Sequence, residues 1–128
     1  MHKGSCLCGA VTFQVDGSLH APDACHCSQC RKQSGHYWAS TNVPPSALTL
    51  QGADNIRWFQ SSAKVRRGFC AICGSVMFWE PTDRNDFIAV AMGAFDVPTG
   101  TQLAKHIFVA DKGDYYEIAD GLPQSPGY

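Results

Sequence analysis

The stretch Cys25-His26-Cys27-Ser28-Gln29-Cys30 places three cysteines within six residues and is the densest cysteine cluster of the chain. Packing alone does not require three thiols at this spacing, whereas thiolates are strong ligands for zinc. We therefore interpret residues 25–30 as a metal-binding loop. How many ligands this loop must supply depends on the cysteines elsewhere in the sequence.

The other four cysteines form two short pairs, and each pair is followed by a glycine. The pairs are Cys6 with Cys8, and Cys70 with Cys73. Gly9 and Gly74 come next in the chain, and glycine tolerates the positive φ that a sharp turn after a metal ligand favours. Two such knuckles supply four thiolates, which complete a tetrahedral structural zinc site. The sequence thus sorts seven cysteines into four and three.

Two other interpretations of the cysteines are weaker. Disulfides are rare in reducing compartments, and an odd count of seven cannot pair completely. An independent redox pair at Cys70 and Cys73 would leave Cys6 and Cys8 unexplained. We therefore expect metal binding at both groups.

Short apolar or alternating runs recur along the chain, and no segment keeps a helical period for three turns. The β-like runs are 10–15, 36–41, 47–50, 55–59, 63–69, 75–80, 87–92 and 105–109. We expect a mostly β protein in which residues 1–128 form a single domain with zinc-ribbon-like knuckles.

The segments between these runs predict connections. Residues 19–24 are predicted to be a loop, and residues 31–35 a helical turn ended by Gly35. Pro44-Pro45 marks a turn or a sheet edge, because proline cannot donate to a strand ladder. The prolines within residues 122–128 predict a loosely held tail.

Composition excludes several classes of protein. The 128 residues are 45% hydrophobic and 16% charged, which is typical of a globular chain, and the formal net charge is -1. This charge provides no field that would draw the protein onto nucleic acid or an anionic membrane. No apolar run approaches the roughly 20 residues of a membrane span, and none precedes Cys6. We expect a soluble cytoplasmic protein without nucleic-acid or membrane partners.

The chemistry of the cysteine trio leaves two possibilities open. A histidine such as His20, His36 or His106 could complete a closed tetrahedral site, which is the commoner state. In an open site, zinc with three thiolates would carry a net charge of -1 and activate water poorly. Such a centre suits a soft external thiolate, held deprotonated and ready to attack an electrophile.

Cationic and aromatic residues near the cysteines are candidates for substrate binding. The cations are Arg31, Lys32, Lys64, Arg66 and Arg67, and the aromatic residues are Tyr37, Trp38, Trp58, Phe59 and Phe95. The cations could offset an anionic metal centre and bind carboxylates. Solvated surface charge and core packing are the simpler alternatives for any one of them. Asp96 could act as a general acid or base, or cap a turn.

These residues together resemble the glutathione-dependent formaldehyde-activating enzyme (GFA) family, also called the centromere protein V family. The resemblance covers residues 4–9, 25–31, 34–35, 67–70, 73–75, 106–109 and 122–124. It implies a β-tent fold and two zinc ions. The structural zinc would be bound by Cys6, Cys8, Cys70 and Cys73, and the catalytic zinc by Cys25, Cys27 and Cys30.

The resemblance also implies an activity. Family members join glutathione to formaldehyde to give S-hydroxymethylglutathione, a reaction formally classed with carbon-sulfur lyases. The glutathione thiolate attacks the aldehyde carbon. The competing hypothesis is a zinc-stabilised, non-catalytic binding module whose second metal site is closed or vestigial.

Overall fold

The computed structural model describes residues 1–128, which form ten strands and one α-helix. The strands are β1 (His2–Ser5), β2 (Thr12–Val15), β3 (Asp23–Cys25), β4 (Trp38–Val43), β5 (Leu48–Gln51), β6 (Ile56–Ser62), β7 (Val65–Cys70), β8 (Val76–Pro81), β9 (Ile88–Ala91) and β10 (Lys105–Ile107). The helix α1 spans Ser28–Ser34. The expectation of a mostly β protein is confirmed.

The strands form two sheets of different size. Strands β1, β2 and β5 make a three-stranded antiparallel sheet. The other seven lie in the order β10-β3-β4-β9-β8-β7-β6, and only the β10–β3 pair is parallel. The chain changes sheets after β4 at Pro44-Pro45, where a short 3₁₀ turn begins. The predicted turn at these prolines is confirmed. The strand ends there because proline cannot donate a backbone hydrogen bond to the ladder of β4.

The main core lies between the two sheets. Phe13 of β2 is 3% exposed and meets the fully buried Phe78 of β8 edge to face, with 6.1 Å between ring centroids. Burying one such ring stabilises the fold by about 1.5–3 kcal/mol. Gly4 allows β1 to approach closely, since a Cβ there would lie 2.3 Å from the Ala94 carbonyl oxygen.

The opposite face of the seven-stranded sheet carries a second, smaller cluster. Cys30 of α1 packs there against Trp38, Ala89 and Ala91. Across the strands Cys25 pairs with Trp38, and Trp79 pairs with Ala89. No second sheet covers this face, so it is available for a site.

Three local predictions need correction. Strand β1 was not predicted, and β3 occupies part of the predicted loop 19–24 and the residue after it. Because β3 has only three residues, its structure depends on pairing with β4 and β10, which lie elsewhere in the sequence. Helix α1 begins three residues before the predicted turn, since the Cys27 side chain accepts the Cys30 N–H at its N-terminus. Cysteine is an unusual residue in that capping role.

The C-terminal segment 122–128 runs beside β10. Five backbone hydrogen bonds of 2.8–3.4 Å join residues 123–127 to residues 106–110. That the tail is loosely held stays a prediction. The α-helix has seven residues, and no helix is long and apolar enough to cross a membrane.

Candidate metal centres and the adjoining cavity

Four thiols from the two knuckles meet at one point between the sheets. The sulfur atoms of Cys6, Cys8, Cys70 and Cys73 all lie within 4.8 Å of one another. Gly9 and Gly74 adopt φ values of 80° and 78°, so the predicted sharp turns are present. The Cys6–Cys8 and Cys8–Cys70 sulfur distances are 3.6 Å and 3.8 Å. A tetrahedron with zinc–sulfur bonds of about 2.3 Å has edges of about 3.8 Å, so the thiols fit this ion.

Hydrogen bonds support two of these thiols as thiolates. The Val11 N–H donates to Cys6 Sγ at 3.3 Å, and the Ser75 hydroxyl lies 3.1 Å from Cys73 Sγ. Hydrogen bonds from Ser75 lower the pKa of Cys73 to about 5. The charged form that a metal requires is therefore favoured before any ion binds.

The remaining three thiols form a second cluster on the uncovered face. Cys25 ends β3, Cys27 caps α1 and Cys30 lies in its first turn, and their sulfur atoms are within 4.8 Å of one another. Hydrogen bonds from the Cys25 and Cys30 thiols and the Cys30 N–H lower the pKa of Cys27. No histidine, cysteine, aspartate or glutamate supplies a fourth ligand atom to this cluster.

The histidines that could have closed the trio are not part of it. His36 Nδ1 lies 3.0 Å from the Tyr115 hydroxyl, and both nitrogens of His106 have other partners. His20 is exposed and belongs to neither cluster. The protein therefore presents three thiols and leaves a fourth direction free of its own donors.

One buried cation lies against the trio. Arg67 is 5% exposed, and its Nη1 donates to Cys30 Sγ at 3.4 Å and to Gln33 Oε1 at 3.4 Å. Its Nε donates to the Ser61 hydroxyl at 3.2 Å. Because these contacts fix the guanidinium beside a sulfur, its charge is available to offset thiolate charge.

A cavity of about 390 Å³ opens beside the trio on the same sheet face. Its wall includes all three thiols and Arg67. The other lining residues are Asp23, Gln29, Trp38, Ser40, Asn42, Ser62, Val65, Trp79, Phe87, Ala89, Ile107, Phe108 and Tyr128. A small molecule in this cavity would contact the sulfur atoms directly.

The predicted binding residues divide between this cavity and other places. Trp38 and Arg67 line it. Arg66 points to the opposite face of β7, where it pairs with Glu80 and lies 4.0 Å from the centre of the Trp58 ring. Lys32 lines a separate shallow surface near Phe59.

The other candidates also lie outside the cavity. Arg31 is on α1 with a buried Nε that has no partner, and Lys64 forms an exposed ion pair with Asp83 at 3.9 Å. Asp96 follows the short turn after β9 and lies beside the three-stranded sheet. The aromatic candidates Tyr37, Trp58, Phe59 and Phe95 do not line the cavity either. The sequence predicted no site role for Trp79, Phe87 and Phe108, which do line it. Phe108 lies within a segment that carries the family resemblance, whereas no motif marked Trp79 or Phe87.

A chain of hydrogen bonds lies behind the cysteine loop. His26 and His106 are 1% and 2% exposed, and His26 Nε2 lies 2.8 Å from His106 Nδ1. His106 Nε2 donates to Asp120 Oδ2 at 2.7 Å, while His26 Nδ1 meets the Tyr116 hydroxyl. Burial, and then the nearby His106, lower the pKa of His26 to about 4. Both imidazoles satisfy every contact when each is neutral and protonated at Nε2.

Comparison with known proteins identifies the family. The family model described as glutathione-dependent formaldehyde-activating enzyme matches residues 1–111. The chain belongs to this family. The predicted GFA membership and fold are therefore confirmed.

Individual relatives agree with this assignment. A Halomonas elongata protein with the provisional name glutathione-dependent formaldehyde-activating enzyme is 29% identical over 91% of this chain and 80% of its own length. A Schizosaccharomyces pombe protein named as an uncharacterized lyase is 23% identical over 93% of this chain and 86% of its own. A crystal structure of a Rhodobacter sphaeroides protein shares the fold, with a TM-score of 0.65 and 22% identity over 80% of this chain and 99% of that one.

Proposed function

We propose that this protein is a zinc enzyme of the carbon-sulfur lyase type that joins a small thiol, glutathione, to an aldehyde such as formaldehyde. Cys6, Cys8, Cys70 and Cys73 would hold a structural zinc. Cys25, Cys27 and Cys30 would hold the catalytic zinc. The GFA family model and the name of the Halomonas relative support this activity.

The observation that carries the proposal is the cluster of three thiols in the wall of a cavity. A fourth protein ligand is absent there, so an external ligand can reach a bound ion. Catalytic zinc sites keep such an open position, whereas structural sites are closed. The four-thiol cluster has the closed ligand set.

The bound ion would supply a site at which an external thiol loses its proton near neutral pH. The chain's own residues would arrange the rest. Arg67 places a positive charge at Cys30 and offsets the anionic cluster. The sheet face below Trp38 positions the reactants and restricts the access of water.

Thiol titration of cobalt-substituted protein tests the proposal. Cobalt reports its ligands through visible absorption, and glutathione should change the spectrum of one of the two ions at millimolar concentration. The Cys27→Ala variant is the control, and it should retain only the spectrum of the four-thiol ion. If glutathione leaves the wild-type spectrum unchanged, the result would favour the non-catalytic binding module.

A further inference from the structure

The cavity beside the trio has an apolar and aromatic wall. We propose that its carbonyl reactant is an uncharged aldehyde with an aromatic or branched apolar side chain, larger than formaldehyde. This inference rests on the proposed function, because it names the electrophile of the same site. The residues that would contact the side chain are Trp38, Val65, Trp79, Phe87, Ile107 and Phe108.

The size of the cavity is the first argument. Its volume of about 390 Å³ falls within the range of roughly 300–1,000 Å³ found for sites that enclose small organic molecules. Formaldehyde has one carbon and one oxygen, so formaldehyde and the thiol group at the trio together would leave most of this space unfilled. Small residues, Ser40 and Ala89, occupy the same sheet face as Trp38 and Trp79. They keep a depression open between larger neighbours.

The arrangement of the aromatic rings is the second argument. Trp79 and Phe87 stack with 5.9 Å between centroids and 19° between ring planes, and both remain partly exposed at the cavity. Phe108 has a φ of 55° and is the single non-glycine residue in the left-handed region. Such conformations carry an energetic cost and concentrate at ligand sites. The rings offer flat apolar surface to a ligand.

Charge gives the third argument. Arg67 is the one cation in the cavity wall, and its Nη1 and Nε already engage Cys30, Gln33 and Ser61. Asp23 is the one carboxylate, and it sits opposite Lys105 across the β3–β10 pair. A charged substituent on the aldehyde would have at most the remaining Nη2 of Arg67 or the Asp23 carboxylate as a partner, whereas an uncharged substituent avoids the cost of burying a charge. The carboxylates of glutathione would lie at the mouth, in solvent.

The reaction itself is an addition. The thiolate sulfur donates an electron pair to the aldehyde carbon, so that a carbon–sulfur bond forms and the carbon–oxygen π bond breaks. The oxygen receives the displaced pair and takes a proton from water. Because the thiol released one proton to solvent earlier, the hemithioacetal contains all the atoms of thiol and aldehyde.

Binding of an unreactive carbonyl compound tests the inference without turnover. Benzamide and acetamide are titrated into the zinc-loaded protein while tryptophan fluorescence is followed. Benzamide should bind and acetamide should not. Phe87→Ala should weaken benzamide binding by about 10-fold or more, the scale of apolar-pocket discrimination. Phe59→Ala is the matched control, because Phe59 is 60% exposed and lies outside the cavity.

Turnover supplies the second measurement. Exchange NMR with glutathione should give a higher kcat/KM for benzaldehyde than for formaldehyde, and Phe87→Ala should reduce that ratio. Equal handling of both amides, or equal effects of the two phenylalanine variants, would overturn the inference. If one of these contrary results is obtained while glutathione still perturbs the second metal, this inference alone fails. If glutathione leaves that metal unchanged, the proposed function fails and this inference fails with it.

Discussion

Arg66 and Arg67 are neighbours in sequence but face opposite sides of β7. Successive side chains of a strand point to opposite faces, so one arginine reaches Glu80 and the other reaches Cys30. A zinc ion with three thiolates carries a net charge of -1, and the buried guanidinium would bring the local sum to zero. We therefore propose that Arg67 positions the trio and balances its charge.

Replacing Arg67 by glutamine should loosen the second metal. The change removes a charged hydrogen bond to Cys30 Sγ while keeping a polar side chain of similar reach. Loss of such a supporting contact typically lowers metal affinity or activity by about 10- to 100-fold. Competition with a zinc chelator measures the change at the trio, and the four-thiol site serves as the internal reference.

Arg66→Gln provides the matched control for that measurement. It removes the same charge from the adjacent position, on the face where Trp58 and Glu80 lie. Its chelator curve should coincide with the wild type. If both variants release zinc equally, net charge rather than the Arg67 contact would explain the effect.

At the scale of single residues, the sequence predicted the candidate metal ligands better than it predicted the residues that line the cavity. The glycines after Cys8 and Cys73 predicted the knuckles, because a turn with positive φ favours glycine at that one position of the sequence. Which of Arg66 and Arg67 faces the trio depends on strand register, and a register irregularity follows Gly68 in the β7–β8 pair. Trp79 faces the cavity because of that pairing, which no short motif encodes.

At the scale of elements, the loop from β3 to α1 is supported from behind. His26 lies between two of the proposed ligands and donates toward His106 on β10, which in turn donates to Asp120. This contact joins three distant segments of the chain. A buried hydrogen-bonded chain of this kind fixes the orientation of the loop that carries Cys25 and Cys27.

His106→Phe should weaken zinc retention at the trio. Phenylalanine keeps the ring volume but leaves His26 Nε2 and Asp120 Oδ2 without their partner. We expect the affinity of the trio for zinc, measured by competition with a chelator, to fall by about 10- to 100-fold, as it does when other supporting contacts of metal ligands are lost. Cobalt absorption should also broaden, because the three sulfur positions would be less uniform.

His20→Phe is the control for this variant. His20 is exposed, and its backbone oxygen rather than its side chain accepts the hydrogen bond from Thr41, so its replacement should leave both the chelator curve and the cobalt spectrum unchanged. A His106→Phe protein that retains zinc like the wild type would show that the backbone pairing of β3 is sufficient to hold the loop.

Element boundaries show why part of this arrangement was not predictable. Most of the predicted β-like runs became strands within one to three residues of their predicted bounds, because apolar or alternating runs bounded by turn residues are a local signal. Strand β3 has three residues and no such pattern. It exists because β4 and β10 pair with it on either side, and β10 is about 80 residues away. Pairing between segments so far apart produces no pattern in the sequence of β3 itself.

At the scale of the whole molecule, the four-thiol cluster connects the two sheets. Cys6 and Cys8 lie between β1 and β2 of the small sheet, while Cys70 ends β7 of the large sheet and Cys73 lies between β7 and β8. Structural zinc contributes on the order of 10 kcal/mol or more, and whole domains are stable by about 5–15 kcal/mol. The two sheets should therefore depend on this ion to stay together.

Loss of the four-thiol site and loss of the three-thiol site should have different consequences for folding. Cys8→Ala removes a ligand from the closed cluster, so we expect an unfolded or aggregated protein. Cys27→Ala removes a ligand from the trio on the uncovered face, where the sheet and the core beneath it remain intact. That variant should fold, contain one zinc and lack activity. Circular dichroism and metal analysis of both proteins measure the difference. Equal collapse would mean that the trio is structural too, and the open site would then lose its role in catalysis.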